Sequence, residues 1–219
     1  GEMAVEAVLL AAAVALVLGL VTAVHEAGHG LAVRVRGGRV LKVQVGYGTV
    51  LWGRRWGETD YVIALFPVGG RIRYEGVAPG TAEAVVAVSG PVANLVFALV
   101  VLGLAAWVAG PGDLPYGASG ASAAEYALAE VRVWAWLIPR AVRELVATGQ
   151  TAELGRAMGV LLRLLRSEGA AGFLYVSAAV STVWAVLNLI PLPVLGTDGW
   201  HLVRALLRAR PGADRDTGI

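Results

Sequence analysis

No cysteine occurs in this sequence, which excludes disulfides and any metal site built on thiolates. Charge is scarce too. Asp, Glu, Lys and Arg make up 16% of the 219 residues, and a net charge of +2 offers no basic surface of the kind that nucleic acid demands. Histidine occurs three times, so a site that needs imidazoles must draw on His25, His29 and His201. What is abundant is apolar: 57% of residues are hydrophobic and the mean hydropathy is +0.68, well above a soluble domain's share.

Three uncharged stretches, Ala7 to Val24, Ala84 to Ala109 and Gly169 to Gly196, are long enough to cross a bilayer, for which a helix needs roughly 20 apolar residues. The first lacks a basic leader and a cleavage site, so it reads as a retained helix; Gly1 and Glu2, ahead of Met3, read as added residues. The expected fold is mainly α, a polytopic membrane protein in one domain over 1–219. Its parts are a helix over 4–36, a β-region over 39–75, a helix over 82–109, a loop and amphipathic segments over 110–168, a helix over 169–195 and a tail over 196–219. Eight Lys or Arg against three acids fall between Arg34 and Glu75, which places that segment on the cytoplasmic side by the positive-inside rule. Arg204, Arg208 and Arg210 then fall on the same side. The expected location is a prokaryotic plasma membrane.

Within the β-region, Leu41, Val43, Val45 and Tyr47 alternate with Val40, Lys42, Gln44 and Gly46 at strand period, and "TDYVIALF" and "GRIRY" read likewise. A small sheet broken by Gly46, Gly48, Gly53, Gly57 and the turn at Pro67 is expected at the membrane face. Gly110 to Gly120 reads as a loop. Leu128 to Ala147 projects Glu130, Arg132, Arg140, Arg143 and Glu144 on one half of a helix and Val131, Trp134, Ile138, Val142 and Leu145 on the other. That suits a helix on the membrane surface, with Trp134 and Trp136 at headgroup depth, followed by a short interfacial run, "MGVLLRLLR".

The first apolar stretch runs into "HEAGH". His25 and His29, four apart, project from one helix face and can grip a single metal ion, with Glu26 beside them. Zinc held there would polarise a carbonyl and acidify a water, while the glutamate moves the proton. Chance supplies only about 0.002 such matches in a chain of this composition. A structural histidine pair is the plain alternative, although ionisable groups inside a membrane are usually functional. A catalytic zinc takes three protein ligands and keeps a position open. Asp198, in "LNLIPLPVLGTDGWHL", is the candidate third. It is read alternatively as the N-cap of a short basic helix, Trp200 to Arg210, and His201 is the rival ligand.

These residues resemble the site-2 protease family of intramembrane zinc metalloproteases. The likeness rests on "HEAGH", on the β-region from "VGYGTVLW" to "YVIALFPVGGRIRYEG", on "SGPVANLVFAL", and on "LNLIPLPVLGTDG", which together cover most of residues 7 to 209. The resemblance implies zinc bound by His25, His29 and Asp198, Glu26 as general base, and Asn94 and Asn188 as contacts to substrate. It implies membrane-spanning protein substrates, cut to release signalling factors or to clear signal-peptide remnants. Two departures stand out. Gly196 and Thr197 look like an insertion before the aspartate, and residues 111–168 are too few and too apolar for the PDZ domain that many members carry. An unwound substrate could add as a strand to a free edge at Val40 to Tyr47 or Tyr61 to Phe66. A catalytically inactive binder of membrane helices with the same fold is the alternative reading, and a metal transporter a third.

Overall fold

The computed structural model describes residues 1–109, 123–149, 152–167 and 169–209. The expected loop at Gly110 to Gly120 and the end of the tail from Arg210 onward lie outside the described residues. In chain order the elements are α1 (Glu2–Val35), β1 (Arg39–Trp56), β2 (Thr59–Glu75), α2 (Thr81–Ala109), α3 (Ala123–Thr148), α4 (Ala152–Ser167), α5 (Gly169–Leu189), a 3₁₀ turn (Pro193–Leu195) and α6 (Asp198–Arg208). Among the described residues three helices, Met3–Val35, Thr81–Trp107 and Gly169–Leu189, are long and apolar enough to cross a membrane. At 1.5 Å per residue α1 is about 51 Å long, more than the ~30 Å hydrocarbon core requires. Where the sequence expects a helix to 195, α5 closes at Leu189, because Pro191 disfavours helical backbone at Ile190.

The chain forms two compact units. One joins residues 1–21 to 95–186. Its core brings Val17 and Val21 of α1 against Ala98 and Leu102 of α2, Trp134 of α3 and Tyr175 and Ala178 of α5. The buried stripe of α3 runs Tyr126, Ala127, Glu130, Trp134, Ile138 and Ala141, so Glu130 does not belong to the polar half that its projection predicts. It is buried because the Tyr175 hydroxyl donates to its carboxylate at 2.7 Å, and a paired carboxylate tolerates burial. Trp136 stays exposed, with the Arg140 guanidinium 5.1 Å over its ring.

The other unit joins 22–94 to 187–209 and carries the sheet. α1 ends in a Schellman motif: Gly37, at φ +78°, donates to the Arg34 carbonyl and Gly38 to that of Val33. This turns the chain directly into β1. The sheet contains two long strands in place of the three short ones expected. They pair antiparallel from the hairpin at Gly57 outward, Trp56 opposite Thr59 and Trp52 opposite Ile63. Both strands bend at glycines with positive φ, Gly46 and Gly48 at +85° and Gly69 at +83°, values that side chains resist. Because of the bends Lys42, Gln44 and Val45 face Arg73, Arg71 and Gly70 on one side and Asp60, Val62 and Ile63 on the other. The edges expected at Val40 to Tyr47 and Tyr61 to Phe66 are therefore largely interior. The outer legs are Gly70 to Glu75 and Trp52 to Trp56, each with strand partners on one side only among the described residues. Val33, Val40 and Val86, with Ile72, Tyr74 and Val77, pack beneath the sheet.

Candidate metal centre

α1 stays helical through "HEAGH" because Ala27 and Leu31 continue good helix formers past Gly28 and Gly30, and the i, i+4 spacing stacks the two imidazoles. His25, Glu26 and His29 are all buried. The rings meet edge to face at 84° with centroids 4.7 Å apart, and their Nε2 atoms are 3.1 Å apart. Asp198 completes the triangle, with Oδ2 2.9 Å from His25 Nε2 and Oδ1 3.3 Å from His29 Nε2. Three donors around one tetrahedral ion with bonds of about 2.0–2.1 Å lie about 3.3 Å apart, so these spacings fit a single zinc-sized cation. The buried Oδ2 of Asp198 meets the His25 ring and has lone pairs left for such an ion. Burial pushes this carboxyl up, but the imidazoles of His25 and His29 outweigh it and hold it down to about 2, so the group is a carboxylate. His201, the rival ligand, is exposed and stands apart from the cluster.

Asp198 is the first residue of α6, and Thr197 occupies the N-cap that the alternative reading gave to Asp198. The two residues read as an insertion do the positioning. Gly196 closes the 3₁₀ turn at φ +61°, and the Thr197 hydroxyl donates to the Ile190 carbonyl at 2.6 Å while accepting from Leu192 N–H at 3.0 Å. Gly199 lies so close to the Leu189 carbonyl group that a Cβ would fall 2.6 Å from its carbon. The carboxylate is thus turned towards the imidazoles, not away from them. Arg208 at the far end of α6 pairs with Glu83 of α2 at 3.3 Å.

α2 supplies the other wall. The Val86 carbonyl lies 2.7 Å from His29 Nδ1 and also accepts the Ser89 hydroxyl at 2.6 Å. Asn94, fully buried, places its amide nitrogen, Nδ2, 3.2 Å from His25 Nδ1. Between them Gly90 gives the rings their room, since a Cβ there would lie 2.8 Å from His25 Cε1 and nearer still to His29. Gly28 lets α1 approach α2, for a Cβ would meet Ala93 at 2.6 Å. β2 closes the side of Glu26: a Cβ on Gly70 would fall 2.7 Å from Glu26 Oε1, and the Tyr47 hydroxyl donates to the Gly70 carbonyl at 2.8 Å. Asn188 is half-buried in the last turn of α5, ten residues before Asp198. Sequence reasoning missed Val86, Ser89, Gly70 and Thr197. Of these only the 86, 90, 94 spacing on α2, one helix face opposite His25 and His29, carried a signal.

The sequence profile of peptidase family M50 matches residues 13–217. The chain belongs to this family. M50 comprises the site-2 proteases, whose metal is zinc, and with its three apolar helices this M50 chain is an integral membrane protein. Among curated proteins it is 39% identical over 123 residues to the regulator of sigma-E protease RseP of Salmonella typhimurium, a match covering 48% of this chain and 27% of that one. It is 39% identical over 107 residues to the protease RseP of Yersinia pestis, covering 41% and 24%. A Nostoc sp. protein named as a candidate zinc metalloprotease is 36% identical over 102 residues, covering 39% and 28%. The matches thus span about a quarter of the relatives' own length.

Proposed function

We propose that this chain is an intramembrane zinc endopeptidase that hydrolyses peptide bonds in or near the membrane-spanning segments of other proteins. The observation that carries the reading is the convergence of two imidazoles and a carboxylate on one point beside a buried glutamate. His25, His29 and Asp198 hold the zinc, which when bound polarises the scissile carbonyl and lowers the pKa of a water. Glu26 takes the proton of the attacking water and returns it to the leaving amide nitrogen. Gly70, with no side chain, leaves room beside the buried carboxylate. Asn188 is a polar contact to the substrate chain.

A peptide bond inside a helix is shielded until that helix unwinds, and in hydrocarbon each stranded backbone group costs several kcal/mol. The Gly70 to Glu75 edge begins beside Glu26 and, among the described residues, has a side without a strand partner. An unwound substrate that pairs there satisfies its backbone and brings its carbonyls to the site. The basic 34–75 segment favours cutting near the cytoplasmic face of a prokaryotic plasma membrane. Substrates of the signalling or signal-remnant kind follow from the family.

Incubation of the purified protein with a single-span model substrate tests the reading. Cleavage with bound zinc, abolished by Glu26→Gln while zinc stays, supports it; zinc without cleavage in the wild type sinks it and leaves the inactive binder. Proline at Arg71 and, separately, at Ile72 should reduce cleavage at one position or the other with zinc content unchanged. Full cleavage by both variants would remove the strand-addition step.

A further inference from the structure

A histidine that binds a metal through Nε2 must carry its proton on Nδ1, and that proton needs an acceptor which also sets the ring plane. His29 has one in the Val86 carbonyl, 2.7 Å from its Nδ1. Among the described residues no backbone carbonyl takes that role for His25. The group against its Nδ1 is the Asn94 amide, whose nitrogen Nδ2 lies 3.2 Å away, on the same face of α2 two helical turns further along. The two ends of an amide have nearly the same shape, and the neighbouring hydrogen-bonding groups decide which end faces a ring. With the amide turned over so that its oxygen replaces the nitrogen against His25, Nδ1–H is accepted and Nε2 points at Asp198, 2.9 Å away. Asn94 has no exposed surface at all, so a substrate contact would require the α2 wall to open, whereas a ring contact requires nothing to move.

We propose that Asn94 is a positioning residue that fixes the tautomer and ring plane of His25, rather than a contact to substrate, and that Val86, Gly90 and Asn94 form one template on α2 which presents both imidazoles to the ion. The proposal rests on the zinc-site reading above. Removing an outer partner of a ligating histidine typically lowers metal affinity 10–100-fold.

The test is zinc affinity, measured by chelator competition on the full purified chain, with substrate KM alongside. Asn94→Leu, similar in volume but without an acceptor, should lose about 10–100-fold in affinity. Asn94→Asp always turns an oxygen to the ring and should stay within a few-fold of wild type. Asn94→Ala replaces the leucine variant if that variant does not fold, with the same loss expected. Wild-type zinc affinity in the leucine or alanine variant overturns the proposal, and a raised KM in that variant would return Asn94 to the substrate. Equal losses in the leucine and aspartate variants overturn it as well, because they point to packing. Failure of the wild type to bind zinc instead overturns the metal-site reading itself.

Discussion

Replacing Gly90 by alanine adds one methyl group at the point where α2 touches both imidazoles. That methyl would sit 2.8 Å from His25 Cε1, and ordinary contact begins at 3.4 Å, so the ring must withdraw by about 0.6 Å, and His29 by more. Metal ligation tolerates about 0.2 Å of misplacement. The displacement is several times that, and zinc affinity should fall by about 10–100-fold, the range seen when ligating histidines lose their support. Fold stability should change far less. Overpacking costs about 1–3 kcal/mol, while alanine in a helix interior recovers about 1 kcal/mol relative to glycine, which leaves a net loss of about 0–2 kcal/mol. Gly103→Ala is the matched control, on the same helix with open space around it; it gains the helix propensity and should keep its zinc. Chelator competition and thermal unfolding of both variants decide the matter. Wild-type zinc affinity in Gly90→Ala would mean that α2 does not set the position of the imidazoles.

Gly70→Ala places a methyl 2.7 Å from Glu26 Oε1 and should cut cleavage at least 10-fold while zinc content stays at wild type, a dissociation that Gly90→Ala should not show. Thr197→Val removes both hydrogen bonds that fold the 190–197 loop; at ~1 kcal/mol each, zinc affinity should drop by up to about 30-fold, with a fall in melting temperature of a few degrees. Glu130 offers a pH signature away from the metal. Burial raises its pKa above the ordinary 4.5, against the lowering effect of the Tyr175 hydroxyl. The stabilisation from its protonated form is full below 4.5 and is lost as pH rises to the raised value, because the unfolded chain gives up its proton first. The melting temperature of wild type relative to Glu130→Gln should therefore fall as pH rises through 4.5, and a difference that is flat or rising with pH would count against a buried, proton-holding Glu130.

The His25 and His29 pair of the cluster was legible because helical period alone brings residues four apart together, and Asp198 because so few other acids or histidines lie beside an apolar run. The α2 wall was not, because its parts are a carbonyl at Val86, a missing side chain at Gly90 and an amide whose role depends on what it faces. The strand period was read correctly in Leu41 to Tyr47, yet the bends at Gly46, Gly48 and Gly69 decide which legs are edges, and those arise from pairings between residues far apart in the chain. Glu130 was misplaced for a related reason. A helical projection treats a carboxylate as surface, and only the Tyr175 hydroxyl, 45 residues on, makes its burial tolerable. Gly196 and Thr197 looked disruptive as an insertion and turn out to aim the aspartate.

Zinc-edge X-ray absorption on the protein as purified tests the centre most directly. One zinc per chain is expected, with two imidazole nitrogens and a carboxylate oxygen at about 2.0–2.2 Å, and with the oxygen shell altered in Asp198→Ala. A chain without zinc, or a spectrum in which imidazole is missing or the aspartate substitution changes nothing, would contradict it.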